Sequence, residues 1–281
     1  MNNLGNTILI NVGVQAYYNL TVKMANLALN VNVRWNVLIA LLIIFSVAFF
    51  LYYSSPWKAW PKSAAKKQAE ESAVGKYFTW NTKDRTKDQI YYKEVVPQVS
   101  ENSRFTVILL HGQLFTSENW DNIGTLKALA AKSYKAIAVD LPGHGHSESV
   151  KAPSDEDEKV NFVSSLIENL GVDRPVLVAP SMSGSYVLPA LMEKDLRIKI
   201  RGFIPVAPGA VAKYEENDLR KLNLPTLIVY GELDKNFKPF FPLIKNIPNS
   251  EVFMMKNAKH ACYLDNPEEF NARIIEFLDK L

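Results

Sequence analysis

Cysteine is almost missing from this chain, since Cys262 is the only one among its 281 residues. One thiol excludes an internal disulfide and a cysteine-rich zinc site, and a buried, small apolar role is the simplest interpretation. Histidine is scarce as well, with four residues dispersed along the chain. The sequence therefore predicts no metal site, and it contains neither an internal repeat nor a glycine-rich phosphate-binding loop.

Strong net charge is also lacking, because 32 Lys and Arg residues stand against 29 Asp and Glu, a balance of +3. The basic residues are scattered and do not cluster beside aromatic residues, so the sequence lacks the electrostatic footprint of a nucleic-acid-binding protein. Apolar residues make up 48% of the chain and charged residues 22%, values typical of a globular protein with a sizeable core. Disorder throughout the chain is excluded for the same reason.

Charge is absent altogether from residues 35–57, which begin and end with tryptophan. Such an apolar run is long enough to cross the hydrocarbon core of a bilayer, about 30 Å thick, with aromatic residues as interfacial anchors. We therefore predict a single-pass membrane protein with its transmembrane helix at 35–57. Lysine is more frequent just after this segment than before it, so the positive-inside rule places the C-terminal domain in the cytoplasm.

Composition divides the chain into four predicted parts. They are an N-terminal tail at 1–34, the transmembrane helix at 35–57, a charged linker at 58–75 and a globular domain at 76–281. The linker is rich in Lys, Ala, Glu and Ser, which is typical of a solvated spacer.

The globular part begins with two β-rich stretches, Tyr77–Trp80 and Ile90–Val96, which are predicted to form a hairpin. Short apolar strands then alternate with amphipathic helical patterns, one of which starts at Ser117 and is predicted to run through Leu129. Repeated strand–helix units predict an α/β fold with a mostly parallel central sheet and helices on both faces. Only residues 207–224 separate two of the late strands, so we expect a small lid.

Three residues that together can form a catalytic triad each follow a predicted strand. They are Ser181, Asp234 and His260, and Ser181 stands in a strand–turn–helix context that can present a nucleophile. The carboxyl ends of parallel strands meet at one edge of a sheet, where reactive groups gather. A histidine is needed to accept the serine proton, and a carboxylate fixes the histidine tautomer. The order Ser, Asp, His along the chain is that of α/β hydrolases.

The turn around the serine departs from the usual Gly-x-Ser-x-Gly pattern. Ala179 and Ser183 replace the two glycines, although both residues are small enough for a crowded turn. We expect Ser183 to support the turn instead of attacking substrate. Glu232 is the second candidate for the acid of the triad, and Asp265 is a more distant one.

Acyl transfer also requires N–H donors for the oxyanion that forms in the transition state. The residue after the nucleophile usually supplies one donor, here Met182, and a loop after an earlier strand supplies the other, here Gln113. His111 in that loop is interpreted as a loop-shaping side chain. His144 and His146 lie in a glycine-rich turn, and we interpret them as parts of the turn geometry and not as metal ligands.

Several motifs together are more specific than any one of them. They are Leu109-Leu110-His111-Gly112, Asp140-Leu141-Pro142-Gly143-His144-Gly145-His146-Ser147, Pro180-Ser181-Met182-Ser183-Gly184-Ser185-Tyr186 and His260-Ala261-Cys262-Tyr263-Leu264-Asp265. With these motifs the region from about 76 to 281 resembles the α/β-hydrolase domain-containing protein 14 family. The apolar segment makes the chain similar to the membrane-anchored A-type branch.

This resemblance implies an α/β-hydrolase fold and a serine hydrolase with nucleophile Ser181, acid Asp234 and base His260. The soluble branch of the family suggests acyl transfer that involves acetyl groups and coenzyme A, so coenzyme A is a candidate acyl acceptor while no bound cofactor is expected. The A-type branch implies a type II membrane orientation, which is the alternative to the orientation from the lysine distribution.

We therefore expect a membrane-tethered serine hydrolase or acyltransferase that acts on a small acyl ester, thioester or amide through an acyl-enzyme. Its partners would be a small-molecule acyl substrate and the membrane, but no nucleic acid. The competing class is a non-catalytic binding or scaffold protein of the same fold at the membrane. A broken triad would favour that class, and the sequence contains all three triad residues.

Overall fold

The computed structural model describes residues 73–82, 87–97 and 104–281, together with 19, 22 and 23. The chain divides into two compact units, Met1–Ala69 and Glu70–Leu281, and all of the strands described below belong to the second unit. The predicted membrane helix at 35–57, almost all of the predicted tail at 1–34 and most of the predicted linker lie outside the described residues.

The predicted membrane localisation is corrected by the helices that the structure describes. The two longest of them have 14 and 12 residues, and both carry charged side chains. A helix of 14 residues is only about 21 Å long, which is short of a hydrocarbon core of about 30 Å. In the part of the chain that the structure describes, no helix combines the length and the apolar character needed to cross a bilayer. The single-pass localisation, in either orientation, is therefore withdrawn.

A central sheet of eight strands organises the second unit. The strands are β1 (Val74–Asn81), β2 (Lys87–Val95), β3 (Thr106–Leu109), β4 (Lys135–Val139), β5 (Val176–Pro180), β6 (Gly202–Val206), β7 (Thr226–Gly231) and β8 (Ser250–Met255). Their spatial order is β1-β2-β4-β3-β5-β6-β7-β8. The predicted hairpin is confirmed, because β1 pairs antiparallel with β2, which in turn pairs antiparallel with β4. The pairs from β4 to β8 are parallel, as predicted.

The central strands are apolar on both faces because helices cover both sides of the sheet. In β3, Ile108 belongs to one core, while Val107 and Leu109 belong to the other. Successive side chains of a strand point to opposite faces, so a continuous apolar run is what a doubly covered strand requires. The strand ends are thereby fixed as a rigid edge on which loops can carry reactive groups.

Nine α-helices follow or connect these strands in the described residues. They are α1 (Ser117–Asn122), α2 (Thr125–Ala130), α3 (Glu156–Asn169), α4 (Gly184–Met192), α5 (Lys194–Arg197), α6 (Glu216–Arg220), α7 (Phe241–Ile244), α8 (Cys262–Asp265) and α9 (Pro267–Leu278). Helices α3 and α4 contribute buried residues to one core, and α2 and α9 to the other. The observed architecture is the predicted α/β-hydrolase fold.

The helix predicted to run on from Ser117 is interrupted. Gly124 has a φ of +73°, which is left-handed backbone that glycine adopts at little cost, and it separates α1 from α2. Thr116, one residue before the predicted cap, accepts the N–H of Glu118 and forms the N-cap. The apolar spacing thus correctly predicted which side chains are buried, but the prediction of one continuous helix was wrong.

The segment between β6 and β7 is short, as the sequence predicted. It contains a 3₁₀ turn at Val211–Lys213 and the five-residue helix α6, with no larger helical cap. Its first residues, 207–210, bend sharply, with Ala207 and Ala210 at φ of +43° and +65°. A small lid of this kind leaves the carboxyl edge of the sheet accessible.

Candidate active site

Ser181 stands at the sharp turn between β5 and α4. Its φ is +47°, a left-handed conformation that is uncommon for residues other than glycine. The chain then continues directly into a 3₁₀ turn at Ser181–Ser183 and into α4. Such strain at a strand–helix junction is typical of a residue whose side chain is presented at a functional site.

Small residues make this turn possible. The hydroxyl of buried Ser183 donates to the carbonyl of Pro180 at 2.8 Å, which closes the turn from within as the sequence predicted. A Cβ on Gly184 would lie 2.6 Å from Cβ of Pro208, so only glycine fits there. The N–H of Gly209 donates to the carbonyl of Ser181 at 2.7 Å. The start of the lid is therefore bonded directly to the turn that carries Ser181.

The three residues predicted as a triad lie in one hydrogen-bonded chain. Nε2 of His260 is 2.8 Å from Oγ of Ser181, and Nδ1 of His260 is 2.6 Å from Oδ2 of Asp234. A carboxylate accepts a hydrogen bond from Nδ1–H, so Nε2 is left with a lone pair that faces the serine hydroxyl. This arrangement can remove the hydroxyl proton when oxygen attacks a carbonyl carbon.

Asp234 is held in place by backbone groups. Only 3% of its surface is exposed, and its Oδ1 accepts the N–H groups of Asn236 at 3.0 Å and Phe237 at 3.1 Å. The two alternative acids are engaged elsewhere. Glu232 accepts the N–H of Asn257, and Asp265 accepts the N–H of Lys259. Of the three candidates, Asp234 is therefore the carboxylate that contacts the histidine.

The predicted oxyanion donors lie on the two loops that flank Ser181. A Cβ on Gly112 would be 3.6 Å from Cβ of Ser181, so the loop that carries Gln113 packs against Ser181. Met182 directly follows Ser181 at the start of a 3₁₀ turn, where N–H groups have no intrahelical acceptor. Neither N–H takes part in a turn or loop hydrogen bond within the described backbone. Both can therefore donate to a substrate oxygen.

His111 fixes the loop that carries Gln113. Its ring is fully buried, its Nδ1 lies 2.8 Å from the carbonyl of Gly112, and its Nε2 accepts the N–H of Leu141 at 2.9 Å. Burial lowers the pKa of His111 to about 4, so the ring is neutral near pH 7. The predicted loop-shaping role agrees with these contacts.

Buried Asp140 joins the same loop to the turn that follows β4. Its Oδ1 accepts the N–H of Ser117 at 2.6 Å, and its Oδ2 accepts the N–H of His146 at 2.8 Å. Gly145 has a φ of +53° and packs so closely on this carboxylate that a Cβ would overlap with it. The sequence analysis did not identify this role, although the Asp-x-x-Gly-x-Gly spacing is a signal for a tight turn.

The remaining histidines and the single cysteine serve the packing of the site. His144 lies edge-on to His111 with ring centroids 5.1 Å apart, and His146 packs on Tyr91 at 4.2 Å. Cys262 is buried, and burial raises the pKa of its thiol to about 12, so it is a poor nucleophile near pH 7. Within the described ranges, no group of His, Cys, Asp and Glu side chains is arranged to hold a metal ion.

A cavity of about 140 Å³ opens beside Ser181 and His260. Its wall consists of residues 207–212 together with Asn236, Phe237 and Phe240. Residues 207–212 belong to the predicted lid, whereas Asn236, Phe237 and Phe240 had not been assigned to the site. The cavity is open to solvent, and its volume is enough for a short group beside Ser181.

A larger hollow of about 500 Å³ lies at the opposite edge, where β3 and β4 begin. Two of its charged residues pair with neighbouring side chains, Arg104 with Asp279 and Lys135 with Glu94, while the guanidinium of Arg201 lies over the ring of Phe105 and its Nε has no hydrogen-bond partner. Reactive groups of α/β folds gather at the carboxyl ends of strands instead. The smaller cavity is therefore the candidate active site.

Comparison with solved structures identifies the same fold elsewhere. A CIB-like hydrolase from Thermoplasma acidophilum is similar with a TM-score of 0.64 and 24% identity, over 75% of this chain and 99% of that one. The carboxylesterase CesB from Bacillus subtilis is similar with a TM-score of 0.61 and 15% identity, over 77% and 95% of the two chains. At these identities the likeness shows the fold alone.

Comparison of sequences assigns the family. The model of the alpha/beta hydrolase family matches residues 107–216. Rat "Protein ABHD14A" is 40% identical over 198 residues, which cover 70% of this chain and 81% of that protein. Human "Putative protein-lysine deacylase ABHD14B" is 40% identical over 194 residues, which cover 68% and 91%. With this degree of identity over most of both relatives, the chain belongs to the ABHD14 family of α/β hydrolases.

Proposed function

We propose that this hydrolase is a serine hydrolase that removes a short acyl group from the side-chain amine of a lysine. The hydrogen-bonded chain from Ser181 through His260 to Asp234 carries the proposal. The lysine amide is suggested by the name of the human relative, "Putative protein-lysine deacylase ABHD14B". The cavity of about 140 Å³ beside Ser181 fits a short acyl group.

In the first half of the reaction, Oγ of Ser181 attacks the carbonyl carbon of the amide. Nε2 of His260 accepts the hydroxyl proton, and the resulting imidazolium is stabilised by the buried carboxylate of Asp234. The negative charge that develops on the carbonyl oxygen is received by the N–H groups of Gln113 and Met182. The tetrahedral intermediate then collapses, His260 returns the proton to the leaving lysine nitrogen, and the acyl group remains on Ser181 as an ester.

In the second half, His260 removes a proton from a water molecule, which attacks the ester carbonyl. The bond to Oγ of Ser181 breaks, the proton returns to Oγ, and a short carboxylic acid is released. A thiol such as that of coenzyme A can replace water as the acceptor and would yield an acyl thioester. Product analysis with and without coenzyme A distinguishes hydrolysis from this transfer.

Labelling with a fluorophosphonate tests the proposed nucleophile. The wild-type protein should be labelled, and Ser181→Ala should not, with a loss of turnover on the order of 10⁴-fold or more. Ser183→Ala and Ser185→Ala are matched controls, because each removes a hydroxyl from the same turn and helix. Both should still be labelled. Labelling of Ser181→Ala at the wild-type level would refute the proposal and show that the reactive serine lies elsewhere, whereas a wild-type protein that is not labelled would favour a non-catalytic binding protein.

A further inference from the structure

Three exposed apolar side chains lie on the loops after β3 and β7, at the edge of the sheet that carries the candidate active site. Leu114 is 89% exposed, Leu233 is 50% exposed and Phe240 is 39% exposed. Each stands within one to six residues of a predicted site residue, since Leu114 follows Gln113 and the other two flank Asp234 on the β7–α7 loop. Apolar groups that remain exposed on several loops around one opening are typical of a surface that contacts a partner.

Four exposed lysines lie on the two segments that carry Asp234 and His260. Lys235 and Lys238 belong to the first segment, and Lys256 and Lys259 to the second. In the described structure none of these four ammonium groups forms an ion pair with a carboxylate. Their positive charge is therefore left for the solvent or for a ligand.

The two segments are packed against each other, so the four lysines lie on adjacent loops. The N–H of Leu233 donates to the carbonyl of Ala258 at 2.8 Å, and the N–H of Glu232 donates to that of Met255 at 2.8 Å. Gly231 packs so tightly on the carbonyls of Ala258 and Lys259 that a Cβ has no space. We call Leu114, Leu233 and Phe240 together with these four lysines the rim.

Acidic residues on the same segments are bound to the backbone. The carboxylate of Glu232 accepts the N–H of Asn257 at 3.0 Å, and that of Asp265 accepts the N–H of Lys259 at 2.6 Å. Asp234 is buried and contacts His260. The four lysines outnumber the two accessible carboxylates beside them, Glu232 and Asp265, so these segments carry net positive charge beside exposed apolar side chains, a combination that is complementary to carboxylates beside apolar side chains.

We propose that the rim binds the peptide segment around the acylated lysine and selects segments with Asp or Glu beside an apolar residue. This inference rests on the deacylation proposed above and adds the substrate class. A peptide is the occupant that the geometry favours, because the apolar and charged groups are spread over three loops around the opening of the cavity. The cavity itself fits a short acyl group.

Peptide hydrolysis measures the selection directly. Three peptides of equal length carry one N-acetyl-lysine and a leucine, and their flanking residues are Glu, Gln or Lys. At low ionic strength kcat/KM should be about tenfold higher for the Glu peptide than for the Gln peptide, and lowest for the Lys peptide. Salt should reduce the ratio between the Glu and Gln peptides, because exposed charge pairs are screened.

Charge-removal variants locate the effect. Lys235→Gln combined with Lys238→Gln should lower the ratio of kcat/KM between the Glu and Gln peptides to about twofold or less. A change in the rate of the chemical step affects both peptides equally, so it cancels in this ratio. The matched control is Lys127→Gln combined with Lys132→Gln, which removes two exposed lysines on and after α2 and should leave the ratio at its wild-type value.

The outcomes separate the two proposals. Equal rates for the Glu and Gln peptides would overturn the role of the rim, while the deacylation would stand. If no peptide is hydrolysed but p-nitrophenyl acetate is, lysine deacylation fails. The rim is then tested by binding of the fluorescent Glu peptide to Ser181→Ala, and absence of salt-sensitive binding overturns it. Binding of that variant to phosphatidylserine vesicles but not to the Glu peptide would also overturn the rim proposal.

Discussion

The loops of His111 and His260 are built on the same edge of one sheet and use the same side chain in opposite ways. The ring of His111 is fully buried, and both of its nitrogens contact backbone groups, the carbonyl of Gly112 and the N–H of Leu141. The side chain of His260 is 44% exposed, and both of its nitrogens contact side chains, those of Asp234 and Ser181. Backbone partners fix a loop, whereas side-chain partners with labile protons allow proton transfer.

The contrast teaches how a structural histidine is distinguished from a candidate base. Burial without a carboxylate partner lowers the pKa of His111 to about 4, so its ring does not gain a proton at neutral pH. His260 keeps access to solvent and contacts a buried carboxylate, which stabilises an imidazolium. Changes in the two loops should therefore affect different measurements, and four predictions follow this difference from the largest effect to the smallest.

Replacing His260 should abolish turnover and leave the fold intact. For His260→Ala we expect kcat on acyl ester substrates to fall on the order of 10⁶-fold, because the serine loses its general base. The thermal midpoint should change little, because the side chain is exposed and packs against few neighbours. Steady-state kinetics and a thermal melt measure the two effects. A variant that keeps turnover but loses stability would show that His260 is a structural residue like His111.

Replacing Asp234 should have a smaller effect on the rate. In Asp234→Asn the carboxamide can keep the backbone contacts to Asn236 and Phe237 but no longer stabilises an imidazolium, so we expect about 10⁴-fold loss of kcat. Asp265→Asn is the matched control, because that carboxylate contacts a backbone N–H and not the histidine. A larger loss of kcat in Asp265→Asn than in Asp234→Asn would show that Asp234 is not the acid of the triad.

The neutral state of His111 should make the fold sensitive to acid. The unfolded chain binds a proton to this ring below its ordinary pKa of 6.5, whereas the folded protein does so only below a pKa of about 4. The contribution of His111 to the free energy of unfolding is therefore fully present above pH 6.5. It decreases by about 3 kcal/mol as the pH falls through 4. Denaturant unfolding at a series of pH values measures it.

His111→Gln isolates this contribution. Its carboxamide oxygen can accept the N–H of Leu141, and it does not titrate between these pH values. The variant should be less stable than the wild type at pH 7, yet lose less stability on acidification. An unchanged pH dependence in the variant would show that other groups cause the acid sensitivity.

Ser181 and Ser183 should differ in the same way as His260 and His111, with the smallest of the four effects. Ser183 donates to the carbonyl of Pro180, whereas Ser181 contacts the side chain of His260. Ser183→Ala should therefore lower the free energy of unfolding by about 1 kcal/mol and keep fluorophosphonate labelling. Chemical denaturation and labelling of the same sample measure both. If Ser183→Ala lost labelling and kept its stability, Ser183 and not Ser181 would be the reactive serine.

Much of the fold was predictable, because its signals are local. Apolar runs such as 105–110 indicate strands covered on both faces, and Asn266 with Pro267 marks the start of α9 where the structure has it. The chain order of Ser181, Asp234 and His260 was sufficient to predict that they meet. These inferences needed only the spacing of residues and the geometry of parallel sheets.

The rest could not be predicted, because it depends on contacts between distant residues. A crowded turn at Ser181 was expected from the sequence, but the value of its φ, +47°, depends on the strand, the helix and the lid that meet there. The role of Asp140 appears only when the N–H of Ser117, 23 positions away, is placed beside it. The wall of the cavity likewise comes from residues that read as an ordinary loop.

The bond from Gly209 to the carbonyl of Ser181 has a consequence for protein engineering. Members of a fold often differ by insertions in the loops that cover a common scaffold. In this chain an insertion before Gly209 would separate the lid from the nucleophile turn and release the strained backbone of Ser181. A larger cap should therefore be grafted after Ala212, the last residue of this segment that borders the cavity beside Ser181.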